Sequence, residues 1–192
     1  LVAHPEIRNR RTVCGTLAQA DPAAEYPAVA LLLDAELCAM GPSGERVIEA
    51  RDFFVSYLTT ALDPAEVLTE VRFPMLDSGT GGAFQEVSRR HGDFAMAGAA
   101  VTLSVGSGGR CTEARIVLFG VGPTPVRAQG AEEMIVGEAL EQATLEAAGR
   151  KARDDLGEPL SDVHASAEFR RHLAEVLTRR ALSEALTRTG GG

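Results

Sequence analysis

Arg8-Asn9-Arg10-Arg11-Thr12-Val13-Cys14-Gly15-Thr16-Leu17-Ala18-Gln19-Ala20-Asp21-Pro22-Ala23-Ala24-Glu25 is the stretch on which the reading of this chain turns. It opens with charged and amide side chains, passes through a small-residue turn at Thr12–Thr16, and ends in Asp21-Pro22, a pairing suited to a capped helix start. Gly and Thr let backbone N–H groups approach a ligand, because nothing bulky stands in the way. Turns of this kind cradle phosphates or the polar edges of a cofactor. The residue types alone leave two readings open, a cofactor loop or an ordinary strand-to-helix connection.

Outward from this stretch, Pro27 is expected to hold a turn over Asp21–Tyr26 and to delay regular helix until Pro27–Leu33. Ala28-Val29-Ala30-Leu31-Leu32-Leu33 is apolar all round and reads as buried. Ala35–Met40 and Arg46–Glu49 flank Gly41-Pro42-Ser43-Gly44 and read as a hairpin. Ala50–Tyr57 reads as a short helix anchored by Phe53 and Phe54. Val67–Phe73 alternates as a half-buried strand ending at Pro74. Asp77-Ser78-Gly79-Thr80-Gly81-Gly82 is a run of breakers that marks a domain boundary.

Beyond it, Ala83–Arg90, Ala99–Val105 and Cys111–Val121 are strands, the last two joined at Gly106-Ser107-Gly108-Gly109, and together they suggest a three-stranded antiparallel sheet. Helices follow at Ala131–Val136, Leu140–Asp155 and after Ser166. The last is expected to bury a stripe of Phe169, Leu173, Val176 and Leu177, with Arg180 on that stripe and Leu182 and Leu186 off it. Gly190–Gly192 is expected to fray.

Composition narrows the function classes. The 192 residues are 45% hydrophobic and carry a net charge of −8, which makes nucleic acid an improbable partner. No apolar run approaches the length of a membrane span. Cys14, Cys38 and Cys111 are odd in number and widely spaced, so this chain supplies neither a zinc nor an iron–sulfur site, and a reducing cytoplasm is the simplest setting. Ser88 and His91 have nothing that sets them up as nucleophile and base. All four histidines read as structural or surface residues. Arg89-Arg90-His91-Gly92-Asp93 is open to two readings, a surface ion-pair cluster or a docking surface. Arg170-Arg171 and Arg179-Arg180 read as solvated helix faces, with Arg180 the exception that needs a carboxylate partner or a wet edge.

Several motifs in one order add a resemblance. Ile7-Arg8-Asn9-Arg10, Thr12-Val13-Cys14-Gly15, Ala20–Glu25, Glu66–Val71, Phe84–Ala95 and Ser166–Arg171 resemble the FAD-binding (medium) subunit of the molybdenum hydroxylases, the aerobic carbon monoxide dehydrogenase and xanthine dehydrogenase group. Arg11 and Cys14 stand where that family has glycines. The family's earlier glycine-rich pyrophosphate loop has no counterpart here, so the resemblance covers the C-terminal two-thirds of such a subunit.

The resemblance implies an α+β fold in two parts. Residues 1–76 would be the second lobe of a vanillyl-alcohol-oxidase-type FAD-binding domain, and residues 83–188 a C-terminal domain of a three-stranded antiparallel sheet and helices. It implies FAD contacts at Thr12, Val13, Cys14, Gly15, Thr16, Glu25, Val67, Leu68 and Gln85, with Gln85 standing where some relatives have Lys. The residues themselves leave Glu25 equally a solvated helix-start carboxylate, and Val67 and Leu68 plain core. Implied partners are a molybdopterin-binding large subunit, a [2Fe–2S] small subunit and a source for the missing first lobe. FAD would pass electrons from the clusters to an external acceptor, with no acid or base from this chain. The alternatives are a non-catalytic assembly module, an incomplete fragment that does not hold FAD by itself, and a stand-alone flavin reductase or oxidase.

Overall fold

The computed structural model describes residues 2–190; of the glycine tail, Gly191 and Gly192 lie outside them. Helix α1 (Pro5–Arg8) is a single turn, and α2 (Val13–Gln19) follows at once. The expected turn at Thr12–Thr16 is therefore the start of a helix. Thr12 is its N-cap, extended at φ −111° and ψ 157°, and its Oγ1 accepts the Gly15 N–H at 3.0 Å. The helix stops at Ala20, which takes the left-handed conformation at φ 51°.

Helix α3 (Glu25–Leu32) begins two residues earlier than Pro27 suggested. Pro27 is the third helical residue, where a backbone N–H has no intrahelical acceptor to lose, so the ring is tolerated. Asp21 does not cap it; its Oδ1 accepts the Ala23 N–H at 2.9 Å in a local turn.

The expected hairpin forms as β1 (Glu36–Gly41) and β2 (Gly44–Glu49), and β5 (Val67–Arg72) adds to β1 in the order β2-β1-β5, all antiparallel. One face of this sheet carries Leu37, Ala39, Ile48 and Leu68 against Leu17, Ala30 and Phe53. The other leaves Met40, Val47 and Val67 exposed. Between β2 and β5 the expected helix over Ala50–Tyr57 is cut to one turn, α4 (Ala50–Phe53). Phe54, Val55, Thr59 and Thr60 are strand formers, and they make a small hairpin of β3 (Phe54–Ser56) and β4 (Thr59–Thr60).

After the breaker-rich loop, β6 (Gly81–Val87), β7 (Ala97–Val105), β8 (Cys111–Phe119) and β9 (Val126–Arg127) form an antiparallel sheet in that order. The fourth strand was not expected; it is two residues long and pairs Val117 with Arg127 and Leu118 with Val126. Strand β7 is central and buried along most of its length, because both faces of the sheet are covered. One face packs Ala99, Val101, Leu103, Ile116 and Leu118 against α5 (Gln129–Ile135), α6 (Gln142–Asp155) and α7 (Ala167–Thr187). The opposite face packs Ala100, Val117 and Phe119 against Ala28, Leu31 and Leu32 of α3.

Helix α7 is capped as expected by Ser166, whose Oγ accepts the Phe169 N–H at 3.2 Å. Its buried stripe differs from the one expected. Arg170, Leu173, Ala174, Leu177, Thr178, Ala181, Leu182 and Ala185 face inward, while Phe169 is 43% exposed and Arg180 is exposed. The alanines explain the difference: they let the helix lie close on the sheet, and a Cβ on Gly81 of β6 would stand 2.0 Å from the Ala185 carbonyl. Asp34, at the end of α3, ties the halves together by accepting from Arg115 Nη1 at 2.6 Å and Arg127 Nη1 at 3.1 Å.

Candidate functional site

The two halves meet along a cleft of about 460 Å³. Its first wall is the segment that opens α3: Asp21, Pro22, Ala23 and Glu25. The second is the connection from β6 to β7, with Arg89, Phe94 and Met96. Arg11 and Tyr57 reach it from the first half, and Asp162, His164 and Arg170 from the second. The Gly120 N–H donates to the Pro22 carbonyl at 2.7 Å and so fixes one wall to the other. Gly120 sits at φ 68°, and a Cβ there would meet the Ala95 carbonyl at 2.8 Å, so no side chain fits this seam.

Arg170 holds the floor. It is 4% exposed, its Nη1 donates to the carbonyls of Met96 and Gly120, and its Nη2 donates to Asp162 Oδ2 at 2.7 Å. Its buried Nε has no partner. Burial pushes the Asp162 carboxyl up, but the N–H groups of His164 and Ala165 and the Arg170 guanidinium outweigh it and hold the carboxyl below its ordinary value. The expectation of Arg170 as a solvated side chain fails here, because a guanidinium can be buried where carbonyls and a carboxylate surround it. Arg180, expected to have either a carboxylate partner or a wet edge, takes the wet edge and reaches solvent. At the mouth, the Arg11 guanidinium carbon lies 5.8 Å from the centroid of the half-exposed Phe94 ring. His4 Nε2 stands 3.6 Å from Asp93 Oδ1.

A second, shallower groove of about 410 Å³ runs beside the cleft and is almost wholly apolar, lined by Tyr26, Val29, Leu33, Phe73 and Phe84, with Val2 at one end. Glu25 borders both spaces. It is 8% exposed, and among the described residues no hydrogen bond or ion pair reaches its carboxylate.

The site residues expected from the sequence fall into three groups. Thr12, Val13, Cys14, Gly15 and Thr16 form the cap and first turn of α2, and none of them lines the cleft, whose nearest member in the chain is Arg11. Thr12, Val13 and Gly15 are exposed, and Thr16 is buried with its hydroxyl donating to the Thr12 carbonyl. With Gly15 N–H on Thr12 Oγ1 and Thr16 N–H on Thr12 O, the N–H groups of Val13 and Cys14 remain at the open helix end. Cys14 carries no positive φ, so a side chain there is unstrained; it packs against the first core.

Helix α2 packs beside β5, which brings Val67 and Leu68 to the same neighbourhood: Leu68 is buried and Val67 is 65% exposed. Glu25 is the member of the expected set that reaches the cleft. Gln85 stands apart. It lies on the β6 face that carries Ala83 and Val87 toward the helices, and its Nε2 donates to Glu184 Oε2 on α7. Phe84, one position earlier, faces α3, so by alternation the β6 residue directed to the first half is Glu86, which the sequence reading missed. The alternation Phe84-Gln85-Glu86 carried that signal.

Among the described residues no group of His, Cys, Asp or Glu is arranged to hold a metal, and no helix is long and apolar enough to cross a membrane. The three cysteines are free thiols.

Comparison with known proteins follows the same division. Residues 1–76 match the FAD binding domain in molybdopterin dehydrogenase, and residues 82–185 match the CO dehydrogenase flavoprotein C-terminal domain. The chain is 42% identical over 187 residues to the 6-hydroxypseudooxynicotine dehydrogenase complex subunit alpha of Paenarthrobacter nicotinovorans, covering 97% of this chain and 63% of that protein. It is 39% identical to the carbon monoxide dehydrogenase medium chain of Afipia carboxidovorans, covering 98% of this chain and 65% of that one. It therefore spans a little under two thirds of the length of these relatives. Among solved structures it superposes on carbon monoxide dehydrogenase from Hydrogenophaga pseudoflava with a TM-score of 0.94 at 36% identity, covering 99% of this chain and 66% of that one. Quinoline 2-oxidoreductase from Pseudomonas putida 86 follows at a TM-score of 0.91 and 36% identity, covering 97% of this chain and 64% of that one. A cleft between a small antiparallel lobe and a sheet-and-helix domain, matched end to end by these proteins, places the chain in one family: it belongs with the carbon monoxide dehydrogenase medium chains and the related FAD subunits of molybdenum hydroxylases.

Proposed function

We propose that this chain is the FAD-carrying, electron-transferring part of a molybdenum-containing hydroxylase, with Glu25 at the wall of the inter-domain cleft as the observation that carries the reading. A carboxylate that is nine-tenths buried, beside a cleft and without a partner among the described residues, is costly unless a ligand completes it. Hydroxyl donors of a ribityl or ribose group are what a carboxylate accepts. The open Val13 and Cys14 N–H groups at the start of α2 suit the anionic or polar part of a nucleotide. Val67, 65% exposed beside α2, supplies aliphatic surface for a flat, largely apolar ring, and Leu68 backs it from the core. These residues fit FAD, with Thr12, Gly15 and Thr16 holding the shape of the helix start; Gln85, across the sheet, does not join them.

Bound FAD supplies the electron-carrying chemistry. The chain's own residues bind and orient: Glu25 accepts hydroxyls, the α2 amides meet the polar edge, and Arg170 fixes the cleft floor through Met96 and Gly120. No acid or base from this chain is needed. Substrate oxidation belongs to a molybdopterin-binding large subunit, and electrons reach this chain through a [2Fe–2S] small subunit before leaving for an external acceptor.

The test is co-purification under native conditions. The chain is expected to elute with a molybdopterin subunit and an iron–sulfur subunit and with about one FAD per copy, whose visible absorbance bleaches when substrate is added. An assembly that contains the chain and no FAD overturns the proposal.

A further inference from the structure

Arg89-Arg90-His91-Gly92-Asp93 left two readings open in the sequence, a surface ion-pair cluster or a docking surface. The structure removes the first. Asp93 faces His4 instead, and among the described residues the Arg89 and Arg90 guanidiniums enter no ion pair and no hydrogen bond. The turn that carries them is fixed: the Ser88 hydroxyl donates to the Arg90 carbonyl at 2.9 Å, and the Asp93 N–H donates to the same carbonyl at 3.0 Å. On the other side of the cleft, the Arg11 N–H donates to the Ile7 carbonyl at 3.0 Å, and the next residue caps α2, so that backbone is fixed as well. The half-buried Arg11 guanidinium lies over Phe94 and likewise has no ion pair or hydrogen bond among the described residues. A guanidinium over a ring keeps its in-plane N–H donors for a ligand. The cleft's carboxylates are Asp21, Glu25, Asp93 and Asp162. Asp162 is taken by Arg170, Asp93 stands beside His4, Asp21 accepts the Ala23 N–H and Glu25 is buried. None of them comes within ion-pair distance of Arg11 or Arg89. The outer cleft therefore presents two guanidiniums and a ring, on a chain whose net charge is −8. A positive mouth on an acidic molecule draws in anions.

We propose that Arg11 and Arg89 form an anion-binding site at the mouth of the cleft, with Phe94 seating Arg11, and that through it this chain selects negatively charged external electron acceptors. The anion site stands on the cleft itself; its use by acceptors rests on the flavin reading above. Arg11 stands where the family pattern has glycine, so the preference belongs to this chain rather than to the pattern. Arg11 comes from the first half and Arg89 and Phe94 from the second, so the site is complete only where the two halves meet. A multivalent anion there takes N–H donors from both walls at once.

The experiment is isothermal titration of the natively purified assembly, at low ionic strength, with hexacyanocobaltate(III), a redox-inert trianion. The wild type is expected to bind it, and more weakly as salt is raised. Arg11→Gln is expected to weaken binding roughly threefold to tenfold, and Arg11→Lys to keep most of it. Arg10→Gln, at an exposed neighbour outside the cleft, is expected to change it little. No binding by the wild type overturns the proposal without need of a variant. An equal loss in Arg10→Gln and Arg11→Gln also overturns it, because net charge alone would then explain the effect. Turnover tests the acceptor role. The two electrons of one substrate oxidation reduce two hexacyanoferrate(III) ions to hexacyanoferrate(II). Arg11→Gln is expected to raise the KM for that anion by the same factor as the loss of binding, and by more than the KM for a neutral quinone. Equal shifts for the two acceptors overturn the acceptor role. An assembly that binds the anion and contains no FAD overturns the flavin reading and leaves the anion site standing.

Discussion

The two larger sheets of this molecule are covered differently. The sheet of β6, β7, β8 and β9 is covered on both faces, by α5–α7 on one and α3 on the other. The sheet of β2, β1 and β5 is covered on one face and leaves Met40, Val47 and Val67 on the other. The first arrangement is a core that closes on itself; the second is a surface held out for contact. The difference teaches where function sits. The cleft lies where the closed domain lends its outer sheet face to the open lobe, and Phe119, fully buried, is the largest side chain in that contact.

Removing Phe119 should have the largest effect. Phe119→Ala deletes a ring that touches α3, Phe84 at 4.9 Å between centroids, and the seam above Gly98. The expected loss is about 3–5 kcal/mol. It should also split one cooperative urea transition into two, because α3 is then held mainly by its own lobe. Gly98→Ala attacks the same seam from the strand and should cost roughly 1–3 kcal/mol by overpacking. A single transition displaced by less than about 1 kcal/mol in Phe119→Ala would mean that the halves are coupled elsewhere, through Asp34 and its two arginines.

A smaller effect separates the two helix caps. Thr12 and Ser166 each accept one N–H at the start of a helix, at 3.0 and 3.2 Å. Replacing either by Ala should cost about 1 kcal/mol. Ser166→Ala should lower stability and leave FAD content unchanged, since α7 belongs to the closed domain. Thr12→Ala should lower both, because it loosens the amides of Val13 and Cys14. Equal FAD retention in the two variants, measured on the purified assembly, would detach the start of α2 from the cofactor.

Much of this was legible in the residues. Gly41-Pro42-Ser43-Gly44 and Gly106–Gly109 marked their hairpins because turns demand those residue types, and Ser166 announced α7. Capping chemistry at Thr12 was hidden by the Gly15 that follows it: a glycine read as a turn serves instead to clear Thr12 Oγ1, which a Cβ would approach to 2.8 Å. The stripe on α7 was misread because alanines carry little hydrophobic signal, although they allow the closest packing. At the site, Glu25 reaches the cleft, while Leu68 is buried in the first core. Alternation alone put Gln85 and Glu86 on opposite faces of β6; which of the two faces the first half is fixed by the partner strands.

The smallest effect concerns the connector that joins β4 to β5 in the open lobe. Glu66 accepts from Arg46 Nε at 2.7 Å and Nη2 at 2.8 Å, and from the Asp63 N–H at 2.8 Å. Arg46 Nη2 also donates to the Ala61 carbonyl at 2.7 Å, so one fork pins residues 61–66 to β2. The Arg46 bonds first, and the Asp63 amide second, lower the Glu66 carboxyl to about 2 from an ordinary 4.5. A carboxyl whose folded value is depressed stabilises the protein above its unfolded value and loses that contribution as pH falls through the folded one. Stability of the wild type should therefore decline between about pH 4.5 and 2 more steeply than that of Glu66→Gln, in urea midpoints taken at stepped pH. The variant should keep a residual acid slope, because in the closed domain Asp162 is held low by the His164 and Ala165 N–H groups and then Arg170, and Asp154 by Arg153. A Glu66→Gln profile that runs parallel to the wild type down to pH 2 would assign acid sensitivity to the closed domain alone, and would make the open lobe the less polar-dependent of the two.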